Sequence, residues 1–178
     1  MKLCTAGVVG VMIAFLLGGC ASRQVSPEKL KAATLNVQLG MVFLDKNDMT
    51  QAKKKLLCAK QQAPSEPAVW YGMGYFLERT GELKLAEQHY RHALGLNAAR
   101  GASLNNYGAF LCRQGRYSEA LEQFEAASRD PSYLDPASAL ANAGRCALII
   151  PSQILAKAYF KRAIAKDPTI LLEENNLE

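Results

Sequence analysis

Few residues in this chain could do chemistry, and the most telling is a cysteine. Leu17-Gly18-Gly19-Cys20 closes an uncharged apolar run, Leu3 to Leu16, that follows Met1-Lys2. A short basic start, an apolar run too short to span a membrane comfortably, and small residues before a cysteine form the pattern of an exported leader. Small side chains let a peptidase reach the backbone, and the thiol can carry a diacylglycerol. The expected product is a leader at 1–19, an N-acyl diacylglycerol on Cys20 and a tether at 20–26. At roughly 0.8 kcal/mol per buried methylene, three acyl chains hold a protein on a bilayer. Alanine, not aspartate, follows at position 21. That points to the outer membrane of a Gram-negative bacterium, periplasmic face, with membrane contact through the lipid alone.

The remaining reactive side chains do not assemble a catalytic set. His89 and His92 lie three apart on one predicted helix, and no other histidine exists to complete a metal site. They read as two exposed polar residues. No nucleophile elbow, zinc-protease motif or phosphate loop is present. No enzyme, metal, cofactor or small-molecule substrate is expected. With Cys4 in the leader and Cys20 acylated, Cys58, Cys112 and Cys146 are left. Cys112 and Cys146 fall in first helices of neighbouring repeats. An oxidising periplasm would allow a disulfide between them; two small buried thiols is the other reading. Cys58 reads as a lone, partly buried thiol.

The elements that position these residues follow from a repeat. Gly40, Gly74, Gly108 and Gly144 recur every 34 to 36 residues. Each is followed by alanine (Ala52, Ala86, Ala120, Ala156), a large apolar residue (Leu56, Tyr90, Phe124, Phe160) and alanine again (Ala59, Ala93, Ala127, Ala163). Small residues at these spacings let two helices touch, which is the pattern of the tetratricopeptide repeat. The expected fold is all-α: four helix pairs at 33–66, 67–100, 101–134 and 137–170 in a right-handed superhelix, within a domain at 27–178. Ser26-Pro27-Glu28 reads as a helix start. Turns are expected at Lys46-Asn47-Asp48, Thr80-Gly81-Glu82 and Gln114-Gly115-Arg116, and at Pro151. The loop before the fourth repeat is two residues longer.

First helices of such repeats line a concave groove, at positions 2, 5, 9, 12 and 13 of each repeat. Those positions hold Tyr71, Tyr75, Glu78 and Arg79, then Asn105, Ala109, Cys112 and Arg113, then Ala141, Arg145, Leu148 and Ile149. Tyrosines with asparagine and arginine suit an extended peptide, whose backbone needs donors and acceptors. An ordinary solvated face is the alternative. Trp70 and Tyr107 occupy core positions and read as packing. The chain carries 21 Lys and Arg against 16 Asp and Glu. The Lys53-Lys54-Lys55 run reads as a solvated face. With no nucleic-acid motif and an export leader, nucleic acid is not an expected partner.

Asn105 to Pro136, NNYGAFLCRQGRYSEALEQFEAASRDPSYLDP, and NAGRCAL at 142–148 go beyond a generic repeat. Together with LNVQLGMVFLDKNDMTQAKKKL and AEQHYRHAL, they resemble the type IV pilus biogenesis/stability lipoproteins, the PilW/PilF family. The resemblance implies an outer-membrane pilotin that binds secretin subunits and assists their assembly, or a member acting on pilus stability. A general periplasmic adaptor for envelope or cell-wall assembly is the competing reading. The family usually carries six repeats and four are registered here, so a shortened member is a further reading. Leu155, Ala158 and Tyr159 of the last helix are expected to face outward, where another repeat would stack, leaving that end open to fraying or weak dimerisation.

Overall fold

The computed structural model describes residues 25–170, residues 97 and 151 excepted. The leader, Cys20 and the turn residue Pro151 lie outside the described residues. Eight helices succeed one another among those described: α1 (Pro27–Asp45), α2 (Met49–Gln62), α3 (Pro67–Arg79), α4 (Leu83–Gly95), α5 (Arg100–Arg113), α6 (Tyr117–Arg129), α7 (Pro136–Ile149) and α8 (Gln153–Lys166). Each odd helix packs against the even helix that follows it, and each pair packs on the next.

Local chemistry sets the boundaries. Ser26 caps α1 by accepting the Lys29 amide at 3.4 Å, with Pro27 at the first helical position. Asp48 and Asp135 cap α2 and α7 in the same way. Three-residue turns join the helices of the first three pairs at the expected places. Each turn has its middle residue in the left-handed region: Asn47 at φ 59, Gly81 at φ 85 and Gly115 at φ 76. Glycine meets that requirement without strain, and asparagine tolerates it.

The glycine of each pair sits where the helices cross. A methyl group at Gly40 would lie 2.8 Å from Leu56, at Gly108 2.9 Å from Phe124, and at Gly144 2.8 Å from Phe160. The large residues are almost fully buried: Leu56 at 0%, Tyr90 and Phe124 at 1% and Phe160 at 2%. Each contributes roughly 1.5–3 kcal/mol by leaving water. Tyr107 is buried with them, whereas Trp70 is only half-buried.

The last helix corrects the expectation made for it. Tyr159 is buried and turns back to Glu125 of α6 instead of facing outward. Leu155 is half-buried against the core, and only Ala158 is exposed. The exposed side of α8 mixes Lys157 and Lys161 with Ala158 and the 86% exposed Ile154. Leu121 of α6, half-buried beside Tyr159, has exposed Lys157 as its counterpart one repeat later. Ile170 folds onto the same core. Among the described residues, α8 is therefore partly finished as a terminal helix would be, with Ile154 left exposed.

Candidate functional site: the face of the first helices

Helices α1, α3, α5 and α7 lie side by side, α3 touching α1 and α5, and α5 touching α7. Their shared face brings the groove residues into two neighbouring clusters. Arg113 of α5 forks onto Glu78 of α3, with Nε donating to Oε1 at 2.6 Å and Nη2 to Oε2 at 2.8 Å. The Tyr90 hydroxyl donates to the same carboxylate at 3.2 Å. Burial, and next the Glu78 charge, push the Tyr90 pKa up, so this phenol keeps its proton. Glu78 thus spends its acceptors on the protein and its side chain is 8% exposed. It positions Arg113 and is not open to a ligand.

Tyr75 lies beneath two guanidinium groups. Arg113 is 5.4 Å and Arg79 5.9 Å from its ring centre, within cation–π range. Arg79 also reaches the Tyr75 hydroxyl at 3.5 Å and Asn47 Oδ1 at 3.4 Å. That last contact ties the turn of the first pair to the second.

Tyr71 stands one turn before Tyr75. Burial, and then the nearby Glu66 carboxylate, raise its pKa. Toward it comes Tyr133, from the long loop between α6 and α7. The loop can close because Gly101 carries no side chain: a Cβ there would lie 2.3 Å from Tyr133 Cβ. The Tyr133 pKa is pushed up to about 12, by burial first and next by Asp135, and its side chain hydrogen-bonds with Asn105. Asn142 donates to Asn105 Oδ1 at 2.9 Å, and Arg145 donates to Asn142. Cys112 is joined to Cys146 across α5 and α7, with Cα atoms 5.9 Å apart. Among the described cysteines, Cys58 is free and half-buried.

This arrangement offers neutral phenols, amides and fixed cations. It suits recognition of peptide backbone and side-chain acceptors. Among the described residues, no three His, Cys, Asp or Glu groups gather to hold a metal. Of the two histidines, His92 is exposed as expected and His89 is half-buried. His92 packs on the Trp70 ring at 3.8 Å and His89 at 5.4 Å, with Lys60 over the ring at 4.4 Å. Burial, first of all, lowers the His89 pKa.

Tetratricopeptide-repeat family models match residues 67–100 and 111–169. The type IV pilus assembly protein PilF of Pseudomonas aeruginosa is 30% identical over 180 residues, spanning 97% of this chain and 71% of that protein. The chain belongs to the PilF/PilW family. A solved P. aeruginosa PilF structure superposes with a TM-score of 0.67 at 31% identity, over 84% of this chain and 69% of that one. PilW, described as a widely conserved type IV pilus biogenesis factor, superposes at 0.64 with 30% identity, over 76% and 62%.

In this member of the PilF/PilW family, Tyr71, Tyr75, Arg79, Asn105, Arg113 and Arg145 share one face, as the repeat register required. Three residues of the network were not read from sequence: Tyr133, Asn142 and Tyr90. The aromatic residue in the Asp130–Pro136 loop was the visible signal for Tyr133, since that loop is the longer one. Nothing in the register distinguished Asn142 or the Tyr90 hydroxyl.

Proposed function

We propose that this chain is a non-enzymatic scaffold of type IV pilus biogenesis, a pilotin-type lipoprotein of the outer membrane that binds a secretin subunit on the face of its first helices. The observation that carries the reading is the Tyr71–Tyr75–Tyr133 surface with Asn105 and Arg113, in a chain that belongs to the PilF/PilW family. Rigid phenols give contact area at small entropic cost, and Asn105 and Arg113 add polar contacts for an extended segment. Cys20 would supply the anchor and N-acyl diacylglycerol the only covalent addition.

The test is co-isolation of a secretin from membranes with the tagged protein. Tyr71→Ala with Tyr75→Ala should lower capture by about 2 kcal/mol or more, over twenty-fold, while helix content is unchanged. Undiminished capture by the double variant would remove this face from the interface.

A further inference from the structure

Positions 3, 7 and 10 of each repeat, on its first helix, face the preceding repeat. In α3 they are Val69, Met73 and Phe76; in α5, Ser103, Tyr107 and Phe110; in α7, Ala139, Ala143 and Cys146. None of these nine residues is more than 8% exposed. In α1 the same positions hold Leu35, Leu39 and Val42. Leu35 is 56% and Val42 46% exposed, and Leu39 is half-buried. The face is built to receive a helix.

Its pattern says which one. Glu28, Ala32, Leu35, Leu39 and Val42 along one side of α1, and Lys46 at its C-cap, follow alternating spacings of four and three, the seam of a coiled coil. The seam carries an acid at one end and a base at the other, and both are exposed. Centred on Val37, an antiparallel copy sets Glu28 against Lys46 of the second copy, Ala32 against Val42 and Leu35 against Leu39. A parallel copy would stack like charges at both ends. Lys31 and Asp45, on one flank of the seam, repeat the match to within two residues. At the other end of the array, the α8 counterpart of Leu121 is the exposed Lys157, so that position offers a further repeat no apolar contact, although Ile154 of α8 is exposed. Head-to-tail stacking is thereby disfavoured and a closed two-fold contact favoured.

We infer that the outer face of α1 is a self-association surface, on which α1 of a second copy packs antiparallel. This surface is separate from the face of the first helices proposed for secretin.

The experiment uses two differently tagged full-length copies in the same cells, one with Leu35→Cys and the other with Leu39→Cys, under mild oxidation. A cross-linked pair carrying both tags is expected. Ile154→Cys on α8, 86% exposed, should give none. Glu28→Lys in one copy should cut the yield several-fold, and Lys46→Glu in the other should restore it. Leu39 is half-buried and the other positions are exposed, so the variants should fold, which circular dichroism checks. Absence of the mixed pair overturns the inference. So does equal linkage of Glu28→Cys to itself, which means a parallel pair. Linkage of Leu35→Cys to a different protein in place of a second copy overturns it too, and assigns the face to a partner helix.

Discussion

Arg113 and Glu78 stand 35 residues apart and meet in a two-pronged ion pair, one repeat reaching for the next. Because the Glu78 side chain is nearly buried, removing its partner leaves a charge with poor access to water. Arg113→Ala should cost about 2 kcal/mol, read by urea unfolding. Arg113→Lys should recover only part of that, since an ammonium cannot match the fork. A double-mutant cycle with Glu78→Gln should give a clear coupling energy; an additive cycle would show that the pair is incidental.

Gly101 and Tyr133 make the second case. The Cβ of an alanine at 101 would overlap the tyrosine stem, so Gly101→Ala must displace the loop. The expected penalty is about 1–3 kcal/mol. Secretin capture should fall with it if Tyr133 belongs to the interface. A variant of wild-type stability would mean that the loop yields freely.

Thiol counting addresses the covalent link. Denatured, unreduced protein from an oxidising compartment should show Cys58 reactive and Cys112 and Cys146 silent. Closing a loop of 34 residues stabilises by roughly 3–4 kcal/mol on chain-entropy grounds, so reduction should lower the unfolding midpoint clearly. Reactive Cys112 and Cys146 in such protein would refute the bridge.

Acid should reveal Glu87. Burial alone would raise its pKa, but hydrogen bonds from Arg116, Tyr107 and Arg91 hold it at about 2 against an ordinary 4.5. A folded pKa below the unfolded one means the ionised group stabilises above about 4.5, and the benefit drains as pH falls toward 2. Arginine also holds the Glu125 and Glu119 carboxyls below the usual range. The informative quantity is therefore the difference between wild type and Glu87→Gln. It should shrink steadily between pH 4.5 and 2, whereas a constant difference rules out the linkage.

The anchor stands or falls with one atom. Cys20→Ala should leave an unprocessed chain that takes up no fatty-acid analogue. Label retained by that variant would place acylation elsewhere.

The repeat was legible because it is local. Gly108, Ala120 and Phe124 fall within one helix pair, and steric contact between two adjacent helices dictates their types at fixed spacing. The same register placed Tyr71, Asn105 and Arg113 on a common face, since equal repeats put equal positions side by side. It also carried Cys112 next to Cys146, one step apart in the stack. What register cannot decide is the state of a side chain once its neighbours close in. Glu78 looked like a groove acid and became the buried partner of Arg113, because only packing brings the two within 2.6 Å. Tyr133 entered the site because a loop outside the repeat pattern found room over Gly101. The outward face of the last helix went the same way. Tyr159 and Leu155 are apolar enough to suggest an open end, yet burial against α6 claimed the tyrosine and left lysine outside. The apolar face was at α1 instead. Position and type were written in the chain; exposure was settled only by which helix lay on which side.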